Sequence, residues 1–456
     1  MPAEHVVVLG SGIVGLSTAY YLLTLSPSAR VTLVENSPAR HIAGGASSFA
    51  GGFIACGSSW HETPSQSLAT LSWDCHLEMA RALDGAERWG YRDCGATGLN
   101  VGGEGEDRSK YRTLPSGKGK ESVRGEGGTM PKGEWVEGER EELDTAGGVA
   151  QVDPQEFCEA VYAHLTAKYP KRFTTLFGNS TALSSPSPSG TRTLTVVPHS
   201  SPSSPLSLTA LSIVVAAGPW SALLCAQLGL PSIPLINLPG HSLLIRPNLS
   251  GYVPRGSEHA LPSEAVFAGI SGAVGGVHAS TSGLARGLSD EEKAEGYTRS
   301  PELFVRKNGL IYVAGENTIP ETGREVRLLV GGGKATEVVL PNKLPATVDD
   351  VRAMLDQRLV GRLKRAAGAV SALLKEENGA VIEREQFCYR PVFPDREPVV
   401  GRLAPGVLLA TGHGPWGITL APGTGKVMAE LALGKKPSAD VSQLGVERFS
   451  TVKAKL

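Results

Sequence analysis

The sequence predicts a mixed α/β protein in which one nucleotide-binding sheet is assembled from distant parts of the chain. A valine-rich strand at residues 5–9 runs directly into a glycine turn and a helix, which is how a strand–helix–strand unit begins. Two later strands, at 212–217 and 407–411, also end at glycine turns, as strands do where they meet a ligand crevice. Strand patterns at 241–246 and 309–314 predict a second sheet, mixed and largely antiparallel, in a separate domain.

Length and composition limit the classes of protein that fit. A chain of 456 residues predicts two large or three small domains, at about 150 residues per domain. Its 44 Lys and Arg residues against 45 Asp and Glu residues leave a formal charge of −1, so we expect a small-molecule ligand and no nucleic acid partner. The six cysteines are scattered without a C-x-x-C pair, which argues against a disulfide framework and against a metal site of the zinc type.

The predicted domain boundaries follow these strand patterns. We assign residues 1–95, 150–235 and 385–456 to the nucleotide-binding domain, and residues 96–149 and 236–384 to the substrate domain. Within the substrate domain, a segment rich in Gly, Lys and Glu lacks hydrophobic periodicity, so residues 100–148 are expected to form an exposed and partly irregular insertion. Helices are expected at 63–83, from Pro154 onward, across 348–374 and from about Gly423 to Leu433.

The ends of the chain bear on where the protein acts. The first strand follows at once on the amino terminus, without a basic stretch or an apolar region before it, so we expect no secretory signal. No apolar run approaches the roughly 20 residues that cross a bilayer, and membrane insertion is not expected. The ending Ala454-Lys455-Leu456 is close to the Ser-Lys-Leu address read by the peroxisomal import receptor. We therefore expect a peroxisomal protein; the alternative is a frayed tail on a cytoplasmic one.

The motif that opens the chain has the spacing of a Rossmann-type dinucleotide site. Gly10 permits a tight turn, Gly12 lets the backbone approach a pyrophosphate, and Gly15 lets helix and strand pack closely. Ile13 and Val14 complete the turn, and the helix-like stretch at residues 16–25 follows, so the free N–H groups and the positive dipole end of its start attract phosphate. Twenty residues past Gly15 stands an acid suited to ribose hydroxyls, and it completes the pattern: Glu35, followed by Asn36.

Two features favour FAD over NAD as the dinucleotide. The nucleotide fold is discontinuous, which suits a long cofactor that runs through it. The glycine turn at 412–417 precedes a helix, whose N–H groups and dipole would lie near the N1–O2 edge of a flavin, where charge accumulates on reduction. The glycine-rich loop at 44–52 is expected to approach the ligand closely.

The remaining predicted cofactor contacts lie in these loops. They are Ala46, Ser47, Ser48, Gly51, Gly52, Ala217, Gly218, Trp220, Gly412, Gly414, Trp416, Gly417, Ile418 and Thr419. For the two tryptophans, packing on the cofactor and packing in the core are both open interpretations.

A family resemblance rests on these motifs. The segment 10–15 with Glu35, the loop 45–48, the strand end 216–220 and the segment 390–414 resemble the D-amino-acid oxidase and glycine/sarcosine oxidase family. A further likeness, to a fungal branch of FAD oxidoreductases, lies in residues 300–303 and 309–316. The resemblance implies FAD, a small amine that carries a carboxylate, hydride transfer to flavin N5, hydrolysis of the imine, and reduction of O₂ to hydrogen peroxide.

The resemblance also implies roles for two residues near the end of the chain. Arg390, in an Arg-Pro pair, occupies the position that clamps the substrate carboxylate, and a guanidinium offers the planar fork this needs. The alternative is a structural arginine that bridges a carboxylate of the protein. Cys388 stands where sarcosine and pipecolate oxidases carry the cysteine bonded to the flavin, so the FAD is covalent if a thiolate forms there. The alternative is a buried thiol.

Other candidates and other functions stay open. His413 is the histidine expected nearest the flavin and is our second catalytic candidate, whereas a packed or hydrogen-bonded histidine is the alternative for it, for His61 and for His241. One competing function is a flavin dehydrogenase that passes electrons to an acceptor other than O₂. Another is a flavoprotein with a structural flavin that works in trafficking or assembly through the 100–148 insertion.

Overall fold

The computed structural model describes residues 4–102, 135–143, 145, 148–250, 261–270, 300–317 and 344–449. The strands are β1 (His5–Leu9), β2 (Arg30–Glu35), β3 (Phe53–Ala55), β4 (Arg92–Asp93), β5 (Gly95–Val101), β6 (Glu139–Glu142), β7 (Val149–Gln151), β8 (Phe173–Leu183), β9 (Arg192–Pro198), β10 (Leu206–Ala210), β11 (Ser212–Val215), β12 (Ile236–Arg246), β13 (Glu264–Ile270), β14 (Glu302–Val305), β15 (Ile311–Glu316), β16 (Val381–Val392), β17 (Val399–Ala404) and β18 (Val407–Thr411). The α-helices are α1 (Ile13–Leu25), α2 (Thr63–Leu83), α3 (Gly85–Arg88), α4 (Pro154–Lys168), α5 (Ser221–Gln227), α6 (Gln357–Val370) and α7 (Gly417–Ala432). The predicted carboxyl-terminal address at 454–456 and most of the 100–148 insertion lie outside the described residues.

The first sheet has eight strands in the order β10-β9-β8-β2-β1-β11-β18-β17. Its centre is parallel, from β8 through β2, β1 and β11 to β18, and antiparallel strands complete both edges. Val6, Val7, Val8 and Leu9 of β1 are all buried, as expected of a parallel strand covered on both faces. This confirms the predicted α/β nucleotide fold, built from three separate parts of the chain.

The second sheet has seven strands in the order β16-β12-β15-β14-β13-β5-β6. All its pairings are antiparallel except that of β13 with β5, so the predicted mixed and largely antiparallel sheet is confirmed. A small third sheet, β3-β7-β4, is separate from both. Strand β16 pairs with β12 along residues 381–392, so the predicted boundary at 385 falls inside a strand of the second sheet.

The end of the predicted insertion differs from the expectation of an exposed, irregular segment. Strand β6 pairs with β5, and Trp135, Val136 and Leu143 beside it are buried. The segment 100–148 is polar overall, and these three apolar residues do not have the spacing of a strand pattern. Within the described part of the chain, no helix has the length and apolar character needed to span a bilayer.

Helix α7 begins at Gly417, six residues before the predicted start near Gly423, and contains Pro422. A proline lacks the N–H that would bond the carbonyl four residues earlier, which is that of Ile418. Here the Nε2 atom of His76, on α2, lies 2.9 Å from the carbonyl oxygen of Ile418 and supplies the missing donor. Helix α2 therefore supplies the hydrogen bond that Pro422 cannot make, and α7 includes a Gly- and Pro-containing stretch that is typical of a turn.

The predicted helix at 348–374 is divided in two. A 3₁₀ turn at Val348–Met354 ends in extended backbone at Leu355, and α6 then begins after Asp356. The Asp356 carboxylate accepts a hydrogen bond from the backbone N–H of Arg358, which is the N-cap interaction that starts a new helix. The backbone N–H of Asp356 donates to Nε2 of His241 at 3.1 Å, so this N–H is not available to continue the preceding turn.

The crossing of α7 over α1 gives a stability prediction at Gly425. An added Cβ there would lie 2.5 Å from the backbone carbon of Ser17, so we expect Gly425→Ala to lower the free energy of unfolding by about 1–3 kcal/mol. Gly361 of α6 is the matched control, because its added Cβ meets only the end of Arg365 at 3.4 Å and alanine is the better helix former by about 1 kcal/mol. Chemical denaturation measures both variants, and equal effects would contradict the close crossing.

Candidate functional site

A cavity of about 500 Å³ lies between the first sheet and the second sheet. This volume is within the usual range for a ligand pocket. Most of the predicted contact residues line it: Gly10, Gly12, Ile13, Val14, Glu35, Asn36, Ala46, Ser47, Gly51, Gly52, Ala217, Gly218, Trp220, Cys388, Arg390, His413, Gly414, Trp416, Gly417 and Ile418. The sequence motifs at both ends and in the middle of the chain therefore converge on one site.

Four predicted contact residues do not line the cavity. Gly15 instead packs α1 against the glycine turn, since an added Cβ would lie 2.0 Å from the carbonyl oxygen of Gly10. The hydroxyls of Ser48 and Thr419 donate to backbone carbonyl oxygens. Gly412 has φ +83°, a left-handed conformation that favours glycine. These residues shape the loops around the cavity.

The amino-terminal end of α1 faces the cavity with its N–H groups largely uncapped. Its N-cap is Gly12, which has no side chain to accept a hydrogen bond, and the first turn contains no acidic residue. Ser47, from the glycine-rich loop, takes the N–H of Ile13 at 3.0 Å. The remaining donors and the positive helix dipole favour an anion such as a pyrophosphate at this point.

Glu35 is fixed at the end of β2 by Ser11. One carboxylate oxygen accepts the backbone N–H of Ser11 at 2.8 Å and its hydroxyl at 2.7 Å. Burial raises the pKa of Glu35, and the two Ser11 hydrogen bonds oppose that rise. The carboxyl group is thus held in one orientation at the edge of the cavity, where it can accept hydrogen bonds from a sugar hydroxyl.

Arg390 stands on the opposite wall, on β16. Its Nη2 donates to the side-chain oxygen of Asn317, and its buried Nε has no hydrogen-bond partner. Gly240 on β12 lies beneath the guanidinium, where an added Cβ would be 3.0 Å from Nη2. Among the described residues, no carboxylate forms an ion pair with Arg390, which argues against the structural alternative. A donor is left to pair with a ligand.

Three aromatic residues that the sequence motifs do not predict, Phe267, Phe304 and Tyr312, form an aromatic wall of the cavity beside Arg390. The rings of Phe304 and Tyr312 stack with centroids 5.8 Å apart, and Phe267 meets Phe304 edge to face. The hydroxyl of Tyr312 donates to the carbonyl oxygen of Phe49 at 3.0 Å, and burial raises its pKa, so it stays protonated. These residues stand in short apolar runs of their strands, like ordinary core residues, and no local signal marks them.

A second missed group is the segment of residues 344–348, which lines the cavity from the second half of the chain. It leads into the 3₁₀ turn at Val348–Met354 and contacts Asn36, which follows β2 of the first sheet. It also holds the side chain of Trp220, whose indole Nε1 donates to the carbonyl oxygen of Pro345 at 2.9 Å. Its position depends on contacts with distant residues, so the sequence offers no motif for it.

The histidines around the site are neutral and already hydrogen bonded. His413 lies 3.1 Å from the hydroxyl of Thr424 through Nε2, and burial lowers its pKa to about 4. His61 contacts the carbonyl oxygen of Ala55 at 3.0 Å and packs on the ring of Trp416. These contacts favour the packing alternative for both histidines.

Cys388 is buried and lines the cavity two residues before Arg390. Burial raises the pKa of its thiol to about 11, although the nearby Arg390 guanidinium acts to lower it. The protonated thiol is therefore the dominant form at neutral pH, and the thiolate is the nucleophilic form of cysteine.

Comparisons with known proteins place the chain among flavoproteins. A family model described as FAD dependent oxidoreductase matches residues 5–431. A Schizosaccharomyces pombe protein named "Putative oxidoreductase" is 25% identical over 471 aligned residues, which cover 98% of this chain and 98% of the relative. Glycine oxidase from Geobacillus kaustophilus superposes with a TM-score of 0.62 at 18% identity, over 98% of this chain and 99% of the other. L-Amino acid deaminase from Proteus myxofaciens superposes with a TM-score of 0.64 at 14% identity, over 98% and 94%.

The buried histidines predict a pH dependence of stability. Burial lowers the pKa of four of them to about 4: His61, His76, His241 and His413. An unfolded histidine has a pKa of about 6.5, so between about pH 6.5 and 4 the unfolded chain binds protons that the folded chain does not. We therefore expect the free energy of unfolding to decrease as the pH is lowered through this window, by at most about 1.4 kcal/mol per pH unit for each histidine.

The substitution His413→Gln tests this assignment, because glutamine can still bond Thr424 but cannot titrate. Denaturation at several pH values should show a shallower slope for the variant, by about one proton. An unchanged slope would mean that His413 is protonated in the folded protein.

Proposed function

We propose that this chain, which belongs to the FAD-dependent oxidoreductase family, oxidises a carboxylate-bearing amine. The substrate class is an amino acid or an N-substituted amino acid, and the electron acceptor is O₂. The observation that carries this proposal is Arg390. It is the only Lys or Arg side chain among the described residues that lines the cavity, and it has no carboxylate partner there.

The residues of the first sheet fit FAD, which supplies the two-electron acceptor when bound. The uncapped end of α1 suits its pyrophosphate, and Glu35 suits a ribose. A second helix, α7, also begins at the cavity with no acidic residue in its first turn and no side-chain cap. Its positive dipole end would stabilise negative charge on a flavin that has accepted electrons. Two separate helix ends thus support one extended cofactor.

The second sheet supplies the substrate contacts in this proposal. A guanidinium binds a carboxylate through two parallel hydrogen bonds, and the buried Nε of Arg390 is one donor that no protein group uses. The aromatic wall formed by Phe267, Phe304 and Tyr312 excludes water beside it. Because charge interactions are stronger where water is excluded, this wall would strengthen the Arg390–carboxylate pair.

The proposed reaction balances as follows. The carbon next to the amine loses a hydride, which bound FAD would accept, and the nitrogen loses a proton, which gives an imine. Water hydrolyses the imine to a carbonyl compound and an amine or ammonia. O₂ accepts the two electrons with two protons and becomes hydrogen peroxide. Because His61 and His413 are neutral and hydrogen bonded, we assign them no charge-bearing role.

Substituting Arg390→Lys tests the carboxylate clamp. Lysine keeps the charge but loses the planar fork, so we expect kcat/KM to fall by about 100-fold, mainly through KM. The assay is peroxide formation by FAD-loaded protein with a panel of D- and L-amino acids, glycine and N-methylated amino acids. Arg402→Lys is the control, since Arg402 is exposed on β17 and does not line the cavity.

The outcomes of this assay separate the proposal from its competitor. An unchanged kcat/KM in Arg390→Lys contradicts the clamp, and no peroxide from any member of the panel contradicts the proposed reaction. Flavin that a panel member reduces, but that air reoxidises only slowly, favours a dehydrogenase with another electron acceptor.

We further propose that the FAD is not covalently bound, because the raised pKa of Cys388 disfavours the thiolate. Acid precipitation of the purified protein is expected to leave the flavin absorbance in the supernatant. Cys388→Ala should then bind FAD with the same stoichiometry as the unchanged protein. Flavin that stays in the protein pellet, and that Cys388→Ala releases, would contradict this proposal.

A further inference from the structure

Residues 344–349, here named the strap, connect the two halves of the molecule at the cavity. In chain order the strap lies between β15 and α6, which belong to the second half. Leu344, Pro345, Ala346, Thr347 and Val348 nevertheless line the same cavity as the glycine motif and Glu35 of the first sheet. The strap therefore forms a wall of the nucleotide end from outside the nucleotide fold.

Hydrogen bonds tie the backbone of the strap to the first half. Trp220 donates from Nε1 to the carbonyl oxygen of Pro345 at 2.9 Å, and Asn36 donates from its side-chain amide to the carbonyl oxygen of Ala346 at 3.3 Å. Asn36 directly follows Glu35, the acid suited to the ribose. The strap is thus fastened next to the predicted ribose site.

The main attachment is the Asp349 carboxylate. It accepts the hydroxyl of Ser37 at 2.9 Å, the backbone N–H of Ala39 at 2.8 Å and Nδ1 of His41 at 2.9 Å. Partial burial acts to raise the pKa of Asp349, yet the hydrogen bonds that it accepts hold this pKa below its ordinary value. All three donors belong to the loop that leaves β2, so one side chain anchors the strap to that loop.

The glycine-rich loop also packs against the strap. An added Cβ at Gly44 would lie 3.3 Å from both methyl carbons of Val348, and one at Gly45 would lie 3.6 Å from Val348 and from Trp220. A Cβ at Gly44 would be a tight contact that displaces Val348 slightly, whereas one at Gly45 would be in ordinary van der Waals contact. The loop and the strap together close the space above the nucleotide end.

We propose that the strap retains the adenosine half of FAD, and that Asp349 is the residue that keeps it in place. This inference rests on the cofactor placement given under the proposed function. A dinucleotide that lies along Gly10 and Glu35 is enclosed between the first sheet and the strap. Its release then requires the Asp349 contacts to break, so Asp349 controls how long the cofactor stays bound.

The test is the rate of FAD dissociation from the full-length holoprotein, followed by the recovery of free flavin fluorescence after dilution. Asp349→Ala is expected to release FAD about tenfold faster, since it removes three hydrogen bonds to a charged group. The control is Asp350→Asn, because Asp350 follows the strap and, among the described residues, its carboxylate accepts a bond only from Thr347. It is expected to release FAD within twofold of the unchanged protein.

Two milder variants guard against misfolding. His41→Gln changes only one of the three donors to Asp349, the exposed imidazole, and should accelerate release by threefold at most, about what one exposed polar pair contributes. Trp220→Phe keeps an aromatic side chain but removes the indole N–H that bonds Pro345, and it should also accelerate release. The melting temperature of each variant is measured with and without FAD, because bound FAD raises it, and a weaker hold on FAD reduces that rise apart from any loss of stability in the apoprotein.

Three results would overturn the proposal: FAD release from Asp349→Ala at the unchanged rate, equal acceleration in Asp350→Asn, or a rise in melting temperature on FAD binding that is as large in Asp349→Ala as in the unchanged protein. None of these depends on catalysis. If the protein oxidises no amino acid but releases FAD at the expected rates, the proposed substrate class is refuted and the proposed role of the strap is retained.

Discussion

Three backbone segments meet at Gly10 with no side chain between them. An added Cβ at Gly10 would lie 2.4 Å from the carbonyl oxygen of Ala216, at the end of β11, and one at Gly15 would lie 2.0 Å from the carbonyl oxygen of Gly10. The close approach fixes where α1 begins relative to β1 and β11, and so it directs the uncapped helix end into the cavity. The position of Glu35 follows from the same arrangement, because Ser11 in this turn binds its carboxylate.

The two sheets contribute different chemistry to one cavity. The first sheet and its helices offer backbone N–H groups and helix dipoles, which suit a charged dinucleotide irrespective of the substrate. The second sheet offers one guanidinium and an aromatic wall, which suit a small carboxylate. Strand β16 holds Arg390 firmly, since β16 pairs with β12 over its whole length.

The sequence predicts the parts of the site whose cause is local. The glycine spacing at 10–15 follows from backbone sterics within a few residues, and α2 and β18 have the predicted bounds of 63–83 and 407–411. The predicted family and its FAD cofactor are confirmed by the match over residues 5–431. The roles of single residues, including Arg390, remain predictions until they are tested.

What the sequence does not predict depends on contacts between distant residues. The early start of α7 relies on His76, which is 342 residues away from Ile418 along the chain. The strap is held by donors about 310 positions from Asp349, and no local pattern announces such a pairing. Phe304 and Tyr312 stand in apolar runs like core strand residues, and only the fold shows that they line a cavity.

In the proposed reaction Arg390 selects an amine by its carboxylate. Anaerobic mixing of the FAD-loaded protein with each amino acid, and with the matching amine that lacks the carboxyl group, tests this selection through the flavin absorbance. We expect that at least one amino acid bleaches the flavin and that its decarboxylated partner leaves the colour unchanged. Equal bleaching by the two partners, or no bleaching by any amino acid, would contradict it.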